Sequence, residues 1–223
     1  MTTLIPPEFL FRYTFPVQQI KDLPRRGKRL LNLSTECTLP SLSELARRED
    51  YGRVQIAWND RGFGISVSVD GKTHPPVGDP EKLGVSDGIR VWIDTRCTQT
   101  VHRASRFCHQ FEFLPVGGGE DGMQPVATNW PVARASDDPP EVDSDLLPIQ
   151  SDVRDDGYRL EAWLPAEALF GYDPVEQPKL GFMYLLNDSE RGLQCLSIGE
   201  EFPIVSDPSL WCTLELTSEA QRR

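Results

Sequence analysis

Two neighbouring segments in the first third of the chain place an apolar residue at every second position. They are 53–58 (RVQIAW) and 63–69 (FGISVSV), and the residues Asn59-Asp60-Arg61-Gly62 lie between them. Alternation with period 2 puts all the apolar side chains on one face of a β-strand. A short connection rich in Asn, Asp and Gly suits a tight turn. The pattern therefore predicts an antiparallel hairpin with one buried face.

The same period recurs along the rest of the chain and indicates ten or eleven strands. The clearest further strands are predicted at 9–17, 89–94, 107–114, 158–164, 180–186, 193–198 and 211–216. Helical patterns are short: SLSELARRED at 41–50, and one or two turns beginning at Pro165. Strands do not alternate with helices, so the sequence predicts an all-β, two-sheet antiparallel β-sandwich, jelly-roll or immunoglobulin-like, with one or two short helices. A closed barrel is the structural alternative.

The chain of 223 residues is of a length expected for one domain. We predict a single sandwich domain over 1–223, in which 1–50 contribute a first strand and a basic loop and 51–217 form the core. The segment 115–147 contains Gly117-Gly118-Gly119, Pro139-Pro140 and several acidic residues. This composition predicts a long surface loop.

Charge, hydrophobic runs and cysteine content argue against several classes of partner and of structural site. The net charge of −11 repels phosphate backbones and argues against nucleic acid as a partner. The sequence has no apolar run long enough to span a membrane and no secretory signal at its start, so we expect a cytoplasmic protein without a membrane partner. Five cysteines without a CxxC spacing argue against a disulfide framework and a structural zinc site.

The order of several motifs resembles that of family 9 carbohydrate-binding modules and their DOMON-like relatives. The motifs are Trp58-Asn59-Asp60, SDGIRVWIDTR at 86–96, FCHQFEF at 107–113, GYRLEAWLPAEAL at 157–169, LGFMYLLNDSE at 180–190, and Trp211. The resemblance covers about 53–216 and implies a sandwich fold and non-catalytic sugar binding, whereas some DOMON relatives bind haem. The chain departs from the family pattern at Arg90, where the family usually has Glu.

The candidate ligand-binding residues are aromatic or polar side chains opposite the apolar faces of their strands, together with a polar loop that the resemblance places near the ligand. They are Arg90, Trp92, Asp94, Gln110, Glu112, Glu161, Trp163, Asn187 and Arg191. Sugars are bound by flat aromatic faces and planar polar groups, which this set supplies. Alternatively, the two tryptophans pack under a loop, and the Asn187 loop binds its own backbone.

The sequence predicts no catalytic residue, no metal ligand and no cofactor. A glycoside hydrolase would need a carboxylate pair drawn from Asp94, Glu112 and Glu161. Haem would need an axial pair such as Met183 with His109 or with another histidine. Both are less favoured than a non-catalytic module that binds carbohydrate. The main alternative function is a protein-interaction or structural domain with the same fold and no sugar ligand.

Overall fold

The computed structural model describes residues 7–40, 42, 45 and 48–218. The predicted helix at 41–50 falls largely outside them. Eleven strands follow one another in the described residues: β1 (Thr14–Gln18), β2 (Gly52–Asn59), β3 (Gly62–Asp70), β4 (Gly88–Asp94), β5 (Cys108–Gly118), β6 (Gln124–Trp130), β7 (Ile149–Arg154), β8 (Gly157–Pro165), β9 (Lys179–Asp188), β10 (Gly192–Cys195) and β11 (Cys212–Thr217).

The strands form two hydrogen-bonded sheets. The larger sheet has the order β1-β11-β9-β4-β5-β6, with β10 added to β9, and the smaller has the order β2-β3-β8-β7. The predicted two-sheet sandwich is therefore confirmed, and the hairpin β2–β3 pairs in register from Gly52 opposite Val69 to Asn59 opposite Gly62. Among the paired strands of the described residues, only β1 departs from the antiparallel arrangement: it runs parallel to β11. These two strands lie far apart in the chain, so no short turn forces them to be antiparallel.

The core lies between the inner faces of the two sheets. On β4, Ile89, Val91 and Ile93 share this face and are buried. Across the sandwich, Phe63 of β3 meets Phe182 of β9 with ring centroids 6.0 Å apart. Burying each such phenylalanine is worth about 1.5–3 kcal/mol relative to leaving it in water. The period-2 apolar residues thus provide the main attraction between the sheets.

Two segments differ from the sequence-based prediction. The stretch predicted as a surface loop over 115–147 contains the end of β5 and all of β6, so the loop is confined to 131–148. Pro125 is accommodated in β6 because an edge strand does not need every backbone N–H for pairing. The first strand begins at Thr14 rather than at residue 9, because Pro7–Leu10 form a 3₁₀ turn.

Regular helix is confined to short 3₁₀ turns within the described part of the chain. The helix predicted from Pro165 is one such turn, Ala166–Ala168. Further turns of this kind are Pro7–Leu10, Thr35–Cys37, Ser144–Leu146 and Pro208–Leu210. Among the described residues, no helix has the length and apolar character needed to cross a membrane.

Candidate functional site

Five of the predicted ligand-binding residues share the outer face of the larger sheet. Arg90 lies opposite Glu112 and Trp92 opposite Gln110 on β4 and β5, and Asp94 continues the same face of β4. Trp92 is fully buried, and its indole N–H donates a 3.0 Å hydrogen bond to Oε1 of Gln110. The guanidinium of Arg90 lies 5.6 Å from the centre of the Trp92 ring. Alternation brings these five residues to one face, but the Trp92 ring face is not available to a ligand.

Loops cover this patch of Arg90, Trp92, Gln110 and Glu112. The backbone N–H of Gly84 donates a 2.8 Å hydrogen bond to Glu112, and Arg90 faces Glu200 at 3.4 Å. Burial raises the pKa of the Glu112 carboxyl, although the bond from Gly84 and the charge of Arg90 act in the opposite direction. The patch is therefore a covered polar layer in this structure.

The three carboxylates considered for hydrolysis do not form a catalytic pair. Asp94 accepts hydrogen bonds from the backbone N–H groups of Arg96 and Thr98, at 2.9 and 2.6 Å, and so closes the turn after β4. Because Glu112 is paired with the residue four positions before Asp94, the two lie about 13 Å apart along the strands. Glu161 belongs to the other sheet. Glycosidase carboxylates lie about 5–9.5 Å apart, so this set does not match.

Glu161 and Trp163 hold a loop onto the smaller sheet. The carboxylate of Glu161 accepts hydrogen bonds from the backbone N–H groups of Leu31, at 3.0 Å, and Asn32, at 3.1 Å. Trp163 is buried in a small apolar cluster with Leu23 and Leu31. Two roles were considered for the tryptophans, ligand binding and packing under a loop. The structure shows packing under a loop at both Trp163 and Trp92.

Asn187 and Arg191 fasten neighbouring loops. Asn187 donates to the backbone oxygen of Ser86 at 2.8 Å, and the Arg191 guanidinium donates to the backbone oxygen of Gly71. Next to them, the buried ammonium of Lys72 lies 2.7 Å from Asp188 and 3.3 Å from Asp87. Burial by itself lowers the pKa of Lys72, but its hydrogen bond to Asp188 and the charge of Asp87 outweigh burial and raise it. This end of the sandwich is held by internal ion pairs.

The axial pair considered for haem lies on opposite faces of one sheet. His109 is opposite Ile93 on the inner face, whereas Met183 is opposite Trp92 on the outer face. Because they point to opposite faces, the two side chains cannot reach the same iron. The hypothesis that Met183 and His109 form an axial pair is therefore wrong.

An open cleft lies beside the larger sheet, where the chain enters β1 and β11. Its volume is about 340 Å³, within the range of small-molecule sites. Exposed aromatic rings form one wall: Phe9 is 45% and Phe11 is 64% exposed, and the half-buried Tyr13 follows them. Phe9 is supported by stacking on Phe202, with centroids 4.8 Å apart and planes at 13°. We call this the aromatic cleft.

The sequence does not reveal the aromatic cleft, because its alternating pattern predicts Phe9, Phe11 and Tyr13 within the first strand. Their spacing of two residues was nevertheless a signal, since it places three aromatic side chains along one side of an extended segment. The chain enters the sheet only at Thr14, so the rings of Phe9 and Phe11 remain in solvent.

Polar groups line the cleft beside these rings. Arg12 is positioned by a 2.8 Å hydrogen bond to the Gln99 side chain, and His102 is 77% exposed. Nδ1 of His102 lies 3.1 Å from Asp207 and 3.0 Å from the Ser209 hydroxyl. A serine–histidine–acid triad needs the serine and the acid on different ring nitrogens. Here both contact the same nitrogen, so the group can bind polar ligand atoms but cannot relay a proton as a triad does.

The architecture and the two surfaces define a two-sheet β-sandwich with a closed polar patch and an open aromatic cleft. This is the fold of family 9 carbohydrate-binding modules. The chain is similar to such a module from Caldicellulosiruptor kristjanssonii in complex with cellotriose, with a TM-score of 0.59 and 12% identity over 92% of this chain and 94% of that one. In complex with glucose, a family 9 module of that organism gives a TM-score of 0.58 and 12% identity over 94% and 98%.

A third similar structure is that of a protein from Bacteroides uniformis assigned to carbohydrate binding. The TM-score is 0.55 and the identity 12%, over 93% of this chain and 100% of that one. Comparisons with models of protein families and with curated proteins give no match. At this level of identity the likeness establishes the fold.

Proposed function

We propose that this protein is a non-catalytic carbohydrate-binding module and that its ligand occupies the aromatic cleft. The observation that carries the proposal is the pair of exposed rings, Phe9 and Phe11, in one cleft with Arg12 and His102. Aromatic faces pack against the apolar C–H faces of a sugar ring, and planar or ring-bound polar groups bind its hydroxyls. Structures of the same fold that contain glucose and cellotriose support this class of ligand.

The covered patch at Arg90 and Glu112 is the rival location on this chain. Arg90 and Glu112 have the chemistry to bind hydroxyls, but Glu112 is buried and its carboxylate already accepts a bond from Gly84. A ligand there would first have to displace that loop, whereas the aromatic cleft needs no rearrangement. The cleft is therefore the better site on energetic grounds.

The test is calorimetric titration with glucose and cellotriose of the native chain and three variants. Phe11→Ala removes one exposed ring, and we expect about fivefold to tenfold weaker binding, because an aromatic contact contributes about 1 kcal/mol. Val175→Ala is the matched control, since Val175 is 77% exposed and lies outside the cleft. Arg90→Gln probes the rival patch.

Undiminished affinity in Phe11→Ala, with loss of binding in Arg90→Gln, would move the site to the covered patch. Absence of binding by the native chain to both sugars, and to a wider glycan panel, would contradict the proposed function itself.

A further inference from the structure

A second cavity, of about 270 Å³, lies on the outer face of the smaller sheet. It lies between β7, β8 and the basic loop LPRRGKR at 23–29. The residues that line it all have polar or charged side chains: Lys28, Arg29, Gln150, Ser151, Asp152, Arg159 and Glu161. Three cations therefore face two carboxylates in a chain whose overall charge is −11. A locally positive cavity on such an acidic protein concentrates anions at one place.

Both carboxylates of this cavity are already engaged. Glu161 accepts from the backbone of Leu31 and Asn32 and lies 3.2 Å from Nε of Arg159. Asp152 lies 3.5 Å from Nη2 of Arg29. The loop that brings Lys28 and Arg29 to the cavity is thus fixed by the same glutamate that forms its floor.

These contacts leave hydrogen-bond donors of the cationic side chains available. Each guanidinium has five N–H donors, and the ion pairs of Arg29 and Arg159 engage one nitrogen each. Among the described side chains, Lys28 makes no ion pair. Gln150 adds a hydrogen-bond acceptor to these donors. Its buried side-chain oxygen has no hydrogen-bond partner among the described residues. The cavity therefore offers several cationic donors and one unsatisfied acceptor.

We propose that this cavity binds a small hydroxylated oxyanion, of the class to which sugar carboxylates belong. The oxyanion contacts Lys28 and the free donors of Arg29 and Arg159, and a hydroxyl of the ligand donates to Gln150. The inference is independent of the proposed sugar site, because the cavity lies on the other sheet from the aromatic cleft.

The experiment measures binding of glucuronate, inorganic phosphate and glucose to the full chain by calorimetry. Lys28→Glu is the test variant and Lys21→Glu the matched control. Both lysines are exposed and lie between β1 and the turn Thr35–Cys37, and only Lys28 lines the cavity. We expect native binding of glucuronate, at least tenfold weaker binding in Lys28→Glu, and a change of less than twofold in Lys21→Glu.

The three probes separate the parts of the ligand. Phosphate binding that Lys28→Glu also abolishes shows that the oxyanion alone suffices, and binding of glucuronate without phosphate shows that the hydroxyls are needed; both results support the site. Equal effects of the two lysine variants would reduce the binding to general charge attraction and overturn the proposal. Failure of the native chain to bind either anion, or glucose binding that Lys28→Glu weakens as much as it weakens glucuronate binding, would also overturn it. Phe11→Ala should leave the Lys28-dependent binding of glucuronate and phosphate unchanged.

Discussion

His109 makes the stability of the fold depend on pH in a way that can be calculated. The ring is fully buried on β5 and stacks on Phe111, with centroids 6.2 Å apart and planes at 11°. Its Nε2 lies 3.2 Å from the backbone oxygen of Phe170, and Nδ1 has no hydrogen-bond partner among the described residues. The neutral ring with the proton on Nε2 fits this environment, because a second proton on Nδ1 would place an unpartnered charge in the core.

Burial lowers the pKa of His109 from 6.5 to about 4, and the bond to Phe170 opposes this only in part. In the unfolded chain the imidazole takes up a proton as the pH falls below 6.5, whereas in the folded protein it does so only near pH 4. The contribution of the neutral His109 ring to the free energy of unfolding is therefore intact above pH 6.5. It is lost as the pH falls from 6.5 to about 4. The full loss is about 3 kcal/mol, from about 1.4 kcal/mol for each unit of difference in pKa.

Urea unfolding followed by tryptophan fluorescence, from pH 7 to pH 4.5, measures this loss. His109→Gln keeps an N–H donor for Phe170 and removes the titration of this side chain. The unfolding free energy of each protein is compared with its own value at pH 7. We expect the native protein to lose about 2 kcal/mol more than the variant over this range. The other two histidines, His74 and His102, lie on the surface. Parallel pH dependences in the two proteins would refute the reasoning.

Three further predictions concern the loop tether, a turn and the thiols. Glu161→Gln replaces one acceptor oxygen with an amide donor facing Leu31 and Asn32, so unfolding free energy should fall by about 1–3 kcal/mol in urea titrations; an unchanged midpoint would contradict the tether. Gly62→Ala, at φ +150°, drives a Cβ into the backbone oxygen of Leu164 and should cost at least about 2 kcal/mol, measured in the same way; a neutral change would show that the hairpin can relax. Burial raises the pKa of Cys212 to about 11, so peptide mapping after N-ethylmaleimide treatment should find it labelled only on unfolding; rapid native labelling would show that it is accessible.

The sandwich was predictable because the alternating residues report directly on which face of each strand is buried. Segment 53–69 contains both strands of a hairpin and its turn, so local sequence determines their pairing. β6 was missed because QPVATNW has neither clean alternation nor strong β-propensity, and it forms by pairing with β5. The parallel pairing of β1 with β11 is also a long-range event that no local pattern encodes.

The candidate site was predictable only as a face, not as an accessible surface. Alternation correctly placed Arg90, Trp92, Gln110 and Glu112 together. Whether that face is open depends on loops from elsewhere in the chain, which place Gly84 on Glu112 and Glu200 beside Arg90. Conversely, Phe9 and Phe11 were expected within a strand, and their exposure follows from where the chain joins the sheet.

The most direct test of the carbohydrate-binding proposal is a residue-by-residue map of amide chemical-shift changes in ¹⁵N-labelled protein titrated with cellotriose. A ligand in the aromatic cleft should produce saturable changes concentrated at residues 9–13, at His102 and at 209–212. Changes centred on Arg90 and Glu112, or a spectrum unaffected by saturating sugar, would contradict binding in the cleft.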